Sequence, residues 1–338
     1  MRARTPLPPD VTAALRRLGL LPVDAPAPSA EALAGGVSSD IWRVALPAGP
    51  VCVKRALARL KVAADWRAPV ERSQFEARWM AHANRAVPGA APALLGHDAA
   101  SGTLVMEYKP PATHPVWKAR LHEGWTSESF AAAVGCNLAR IQGATAGDAE
   151  VAPLFRSETV FEAIRLEPYL RATAARHPDR AAALQALADA TAATRRTLVH
   201  GDVSPKNILV GPAGPVFLDA ECATWGDPAF DLAFCLTHLL LKCLWTPRAA
   251  AGFLACYAAL AGAYLADVSW EAPAAVAGRA ARLLPGLLLA RVDGKSPVEY
   301  ITADADKDRV RRVARALLAA PPARLEQVAA AWREEGLS

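Results

Sequence analysis

The stretch His200-Gly201-Asp202-Val203-Ser204-Pro205-Lys206-Asn207, with Asp219-Ala220-Glu221 after it, governs the reading of the whole chain. An apolar run, Thr197-Leu198-Val199, leads into it. Two more, Ile208-Leu209-Val210 and Val216-Phe217-Leu218, flank the turn Gly211-Pro212-Ala213-Gly214. The pattern is a strand, a polar loop and a hairpin. The loop sets an Asp two residues after a His and an Asn five residues after that Asp, the spacing of a kinase-type catalytic loop. The chemistry asks for these residue types. A carboxylate, Asp202, orients an acceptor hydroxyl and takes its proton. A neutral oxygen, Asn207, and a second carboxylate, Asp219, suit Mg²⁺, a hard cation that keeps several waters and bridges nucleotide phosphates. The hairpin brings Asp219 back towards Asn207. Glu221 is either a third oxygen donor to that metal or a polar residue leaving the strand. An Asp/Asn turn between strands would explain either half of the pattern, but not both together.

Downstream, Gly226-Asp227-Pro228-Ala229-Phe230-Asp231-Leu232-Ala233 completes the pattern. Together these segments resemble the aminoglycoside phosphotransferase / choline kinase family, whose loop reads H-G-D-x-x-x-x-N and whose later segments read D-x-E and G-D-P-x-x-D-L-A. The resemblance implies an α+β, bilobal protein-kinase-like fold, with a small β-rich N-terminal lobe and a larger, mainly helical C-terminal lobe. It also implies ATP- or GTP-dependent phosphorylation of a small-molecule hydroxyl with Mg²⁺. Asp202 is then the catalytic residue, and Asn207, Asp219 and Glu221 are the metal donors. Asp231 is expected to support the backbone of the catalytic loop, and Asp227 to cap a helix. Two positions depart from the family. Ser204 stands where a His is frequent, and Lys206 has no family contact to inherit.

The other parts of such a site lie upstream. Lys54 closes the apolar strand Val51-Cys52-Val53, the position of a phosphate-pairing lysine, in a chain with eight Lys against thirty Arg. Its ion-pair partner is expected on the helix over about residues 69–86, whose apolar spacing runs Val70, Phe75, Trp79, Met80. Glu76 fits the spacing of the resembled family better than Glu71. Gly35-Gly36-Val37-Ser38-Ser39 stands where a phosphate-covering turn belongs, although no G-x-G-x-x-G is present. Backbone N–H groups and the hydroxyls of Ser38 and Ser39 are the contacts expected there. Met106-Glu107-Tyr108, before Pro110-Pro111, resembles the hinge whose backbone pairs with a purine, so Glu107 and Tyr108 are assigned to the nucleotide.

Working outward, residues 1–30 read as an N-terminal extension with a short helix capped by Asp10. Residues 31–109 read as the nucleotide-binding lobe, and 110–338 as a helical lobe holding the catalytic loop at 198–221. Residues 127–144 place Phe130, Val134, Leu138 and Ile141 on one helical face, and 161–175 and 181–195 continue the helical pattern.

The chain's 338 residues, 53% hydrophobic and 21% charged, can fill two lobes and are incompatible with disorder. A net charge of +5 invites a nucleic-acid partner, but the Arg residues are interleaved with Ala and Leu, without a run of five like charges. The expected partners are a nucleotide and a small hydroxyl acceptor, with neither nucleic acid nor membrane. No apolar signal core stands near residue 1. The uncharged stretch 249–266, rich in Ala and Gly, reads as a buried bundle helix rather than a span. Six Cys without C-x-x-C or zinc spacing read as small buried hydrophobes in a reducing, cytoplasmic setting.

The acceptor is less legible. Protein kinase elements D-F-G and A-P-E are missing, which favours a small molecule: a sugar-type metabolite, an amino alcohol or an aminoglycoside. A polycation would want acidic groups, and after residue 230 the helical lobe offers only Asp304-Asp306-Asp308, which reads as a helix start. Trp117, Trp125, Trp225 and Trp245 could form a choline-type cage. Arg291-Val292-Asp293-Gly294-Lys295-Ser296-Pro297 is a loop between helices or a basic lip of the acceptor site, which suits a sugar or an anionic metabolite. A nucleotide-binding scaffold without transfer is the alternative function, and the joint presence of Lys54, Asp202, Asn207 and Asp219 argues against it.

Overall fold

Strand alternation sorts the first lobe into two faces. The computed structural model describes residues 4–33, 38–59, 61 and 69–336. Strands β1 (Arg4–Pro6), β2 (Ser29–Ala32), β3 (Ser39–Leu46), β4 (Gly49–Ala56), β5 (Leu94–Asp98) and β6 (Thr103–Glu107) form one antiparallel sheet in the order β1-β2-β3-β4-β6-β5. Val44, Val51, Val53 and Val105 pack with Val11 and Leu15 of α1 (Pro9–Arg17) in a small core. The alternate residues of β4 and β6, Cys52, Lys54, Leu104 and Met106, face the opposite side, towards α2 (Arg72–Ala86) and the interior. Lys54 therefore reaches the cleft from an apolar strand because it lies out of phase with Val51 and Val53.

The segment before residue 31 is woven into this lobe. β1 is the edge of the sheet and α1 covers one of its faces. Asp10 does not cap α1, which starts behind Pro8. It lies in the first turn and accepts a hydrogen bond from Arg55 at 2.7 Å.

The second lobe is helical: α3 (Trp117–His122), α4 (Glu128–Gly143), α5 (Glu158–Phe161), a π-helix over Glu162–Arg171, α6 (Ala172–Arg176) and α7 (Ala181–Ala193). Ser127 caps α4, its Oγ accepting from the Phe130 N–H at 3.2 Å. Four short strands follow. β7 (Thr197–Val199) pairs with β10 (Thr224–Gly226), and β8 (Ile208–Gly211) pairs with β9 (Gly214–Phe217). α8 (Ala229–Trp245) is buried along most of its length between α9 (Ala250–Ala266) and α10 (Pro273–Asp293), and α11 (Asp304–Ala319) and α12 (Leu325–Glu334) close the lobe.

The segment Pro247–Ala266 is long and apolar enough to cross a membrane by length and composition. In this fold its Phe253, Cys256, Tyr257, Leu260 and Tyr264 are buried, with α4 and α8 as neighbours. Gly135 of α4 makes the approach possible, because a Cβ there would run into the backbone carbonyl of Leu260. All six cysteines are free thiols.

Candidate active site

The catalytic loop hangs from two buried groups. Asp231, in the first turn of α8, accepts the backbone N–H of His200 and of Gly201, both at 2.8 Å, and the Gln142 amide at 3.1 Å. Burial pushes its carboxyl up to about 7, against the pull of those N–H groups. His200 ties the loop to the next strand. Its Nδ1 accepts the Asp202 N–H and its Nε2 donates to the Leu218 carbonyl, both at 3.1 Å. This sharing requires a neutral ring with its proton on Nε2, and burial drives the imidazole down to about 4. Gly201 turns the chain at φ +81°, where a Cβ would stand 2.7 Å from the Cys222 carbonyl oxygen.

Asp202 is buried and held by two cations. Arg165 Nη2 lies 2.8 Å and Lys206 Nζ 3.2 Å from its Oδ2. Asn207 Nδ2 donates to the Asp202 carbonyl at 3.1 Å, which fixes the two ends of the loop together. Arg165 is buried, and its guanidinium also bonds the Gly201 carbonyl. It projects from the π-helix, whose interior Pro168 cannot donate to a regular α ladder.

Lys54 is the hub between the lobes. Its Nζ pairs with Glu76 Oε2 at 2.7 Å, with Asp219 Oδ1, and more loosely with Glu221 Oε2 at 4.0 Å. Burial pulls against the ammonium, but Asp219, Glu76 and Glu221 together hold it well above its ordinary value. Burial pushes Glu76 up to about 7 against Lys54, while Lys54 and Lys206 outweigh burial and keep Asp219 well below the usual carboxylate range. Asp219 has φ +66°, the only positive φ outside glycine among the described residues. An Asp tolerates this conformation at a cost, and such strain collects at functional sites.

A cavity of about 480 Å³ opens beside these groups. Ile41, Cys52, Met80, Met106, Leu209 and Leu218 give it apolar walls, and Lys54, Asn207 and Asp219 give it a polar end. Ser38, Glu107 and Tyr108 also line it. Ser39 and Glu221 instead border a small void behind Lys54, with Glu76. There Glu221 accepts from the buried Arg72 Nε at 3.0 Å, so the structure groups it with Lys54 and Glu76 rather than with Asn207. Gly35, Gly36 and Val37 lie outside the described residues. A second hollow of about 490 Å³, between α5, the π-helix and β10, contains none of the site residues.

Among the described residues, no group of three or more His, Cys, Asp or Glu is gathered to hold a metal ion. The cavity's donors fit a different kind of ion. Asn207 and Asp219 present hard oxygens beside Lys54, as suits Mg²⁺ that takes the rest of its shell from phosphate and water.

Sequence reasoning brought together Lys54, Glu76, Asp202, Asn207 and Asp219. It missed Arg165 and Arg72. Arg165 carried a signal, since it falls between Phe161 and Tyr169 at buried helical spacing, where a charge needs a partner.

Among solved structures, amicoumacin kinase hAmiN in complex with AMP-PNP, Ca²⁺ and Ami is similar at a TM-score of 0.59 and 14% identity, over 94% of this chain and 95% of that one. Glucosamine kinase in complex with glucosamine, ADP and inorganic phosphate gives 0.51 and 19% identity, over 86% and 81%. At such identities the likeness is one of fold, the bilobal protein-kinase-like architecture. No protein of curated function matches the sequence. The sequence model of the phosphotransferase enzyme family matches residues 29–261, a span that runs from β2 into α9 and takes in Lys54, Glu76 and the whole catalytic loop. Over that span, more than half of its length, the chain belongs to the phosphotransferase enzyme family.

Proposed function

We propose that this phosphotransferase moves the γ-phosphoryl group of ATP or GTP to a hydroxyl of a small molecule. The observation that carries the reading is the convergence, on one cavity, of a Glu-paired lysine, two oxygen donors and Lys206, whose ammonium in turn meets the buried Asp202 carboxylate beneath. The apolar walls suit a planar base, with the backbone at Glu107 and Tyr108 beside it. Lys54 pairs with the phosphates, and Glu76 keeps it in place. Asn207 and Asp219 hold Mg²⁺, which neutralises phosphate charge when bound. Glu221 is nearest to a supporting role for Lys54 and Arg72, behind those two donors.

Asp202 then orients the acceptor hydroxyl. The acceptor oxygen forms the new bond to the γ-phosphorus, the bond to the β,γ-bridging oxygen breaks, and the hydroxyl proton passes to Asp202. Arg165 and Lys206 hold the carboxylate in position, which matters in a reaction whose acceleration is largely positioning and electrostatics.

The test is an acceptor screen. ATP and GTP with Mg²⁺ are offered sugars, amino alcohols, nucleosides and aminoglycosides, and nucleoside diphosphate release is read together with a ³¹P phosphomonoester signal. Acceptor-dependent release with a matching phosphoester supports the reading. Nucleotide binding without transfer to any acceptor class would leave a scaffold instead.

A further inference from the structure

Beyond Asp202, buried basic side chains gather. The Arg165 guanidinium lies 5.8 Å from the ring centroids of both Tyr169 and Phe234. Tyr169 also meets Arg291, whose Nη1 is 3.1 Å from its hydroxyl. His238 packs edge-on against Phe234 at 5.2 Å. One turn further along α8, Lys242 is 1% exposed, its Nζ 3.4 Å from the ring centroid of Tyr300 and 4.0 Å from that of Trp245.

Among the described residues, three buried donors here have no hydrogen-bond partner: Lys242 Nζ, Arg291 Nε and the Tyr300 hydroxyl. The nearby carboxylates are already engaged. Asp202 is held by Arg165 and Lys206, Glu299 by Lys118, and Asp293 by His177 and Arg311. Among the described residues neither Lys242 nor Arg291 has a carboxylate partner. Burial pushes Lys242 down to about 6; Lys118 and Arg291 repel its charge and Glu299 only partly offsets them, so the ammonium form is favoured at neutral pH only when an anion meets it. His238 is driven well down by burial and then by Arg291, Lys242, Lys206 and Lys118, so those four cations all bear on one imidazole. Buried cations of this kind are costly unless something negative meets them.

We propose that the acceptor is an anionic alcohol, a hydroxylated small molecule carrying a carboxylate or a phosphate, whose oxyanion is received by the free donors of Lys242, Arg291 and Tyr300. This rests on the phosphotransferase reading and narrows its substrate class. A polycationic amino sugar or a choline-type alcohol would meet repulsion from the same groups.

The test compares matched pairs of acceptors with Mg²⁺ and ATP or GTP: D-glucose with D-gluconate, and glycerol with D-glycerate and with glycerol 3-phosphate. The expected result is a kcat/KM at least about tenfold higher for an anionic member than for its neutral partner, the scale of one charge-assisted hydrogen bond. Lys242→Met should bring that ratio close to one, and a ratio taken within one protein does not depend on how much of it is folded. The carboxylate and phosphate arms tell the two oxyanions apart. A neutral partner used as well as the anionic one, or a ratio that survives Lys242→Met, overturns the proposal and leaves phosphotransfer standing. Calorimetric titration of the protein loaded with Mg²⁺ and AMP-PNP reads binding without turnover. Saturable binding of D-gluconate, D-glycerate or glycerol 3-phosphate that Arg291→Gln weakens supports the proposal even if no phosphoester forms, an outcome that would fail the kinase reading alone. No saturable binding of any of the three overturns it.

Discussion

Replacing Asp231 by Ala should cost more than any surface change in this protein, because one side chain terminates three donors. The substitution strands the backbone N–H groups of His200 and Gly201 and the Gln142 amide, all in a fully buried setting. A buried donor left without an acceptor costs about 1–3 kcal/mol. Three such donors, with some relaxation, give about 3–6 kcal/mol, a large share of the stability of a typical domain. Asp231→Asn keeps one acceptor oxygen and turns an amide donor towards the other N–H, so its loss should be about half as large. Urea unfolding followed by tryptophan fluorescence gives both values. At the same time the catalytic loop loses its anchor, so nucleoside diphosphate release should fall in the Asn variant even where it remains folded. A loss below about 1 kcal/mol in Asp231→Ala, with wild-type turnover, would show that Asp231 does not anchor the loop.

His200 is depressed to about 4 in the folded state, against about 6.5 in an unfolded chain, so its neutral form contributes stability above pH 6.5 that is lost as the pH falls towards 4. Between pH 7 and 5 this amounts to about 2 kcal/mol, and His200→Gln should flatten that slope in urea titrations at the two pH values. Lys54→Met leaves the buried Glu76 and the half-buried Asp219 without their cation, which should cost about 3 kcal/mol, the low end for a broken buried pair. Because Glu76 already titrates near 7 and would rise further, the variant should lose stability as the pH rises from 5 to 8, measured as Tm. Gly135→Ala should lower stability by about 1–3 kcal/mol in urea unfolding, since the new methyl group meets the Leu260 backbone of α9.

The catalytic loop was readable because its residues are contiguous and each is demanded by chemistry. The Lys54–Glu76 pair was readable because the resembled family sets a lysine at the end of this strand and its glutamate on the next helix, and both elements show in local spacing. What escaped had no local signal, or one that was overlooked. β1, β2 and β10 are three or four residues long, too short to show a period, and are strands only because a neighbour pairs with them. The segment 161–175 read as one helix, and Pro168 was the sign that its ladder changes to a π-helix there. Arg72 and Glu221 are 149 residues apart, and only the packing of α2 against the loop after β9 makes them partners. Arg291 shows the same limit. It read as part of a polar turn, yet it ends α10 with its side chain buried against Tyr169.

The role proposed for Asp202 is to receive the acceptor proton in the phosphotransfer cleft. Single-turnover phosphoryl transfer by Asp202→Asn tests it directly, with the best acceptor from the screen, alongside nucleotide affinity measured by calorimetry. The expected result is transfer slowed by about 10²–10⁴-fold, with nucleotide affinity nearly unchanged, because Lys54, Asn207 and Asp219 remain in place. Wild-type transfer in Asp202→Asn would show that the proton goes elsewhere.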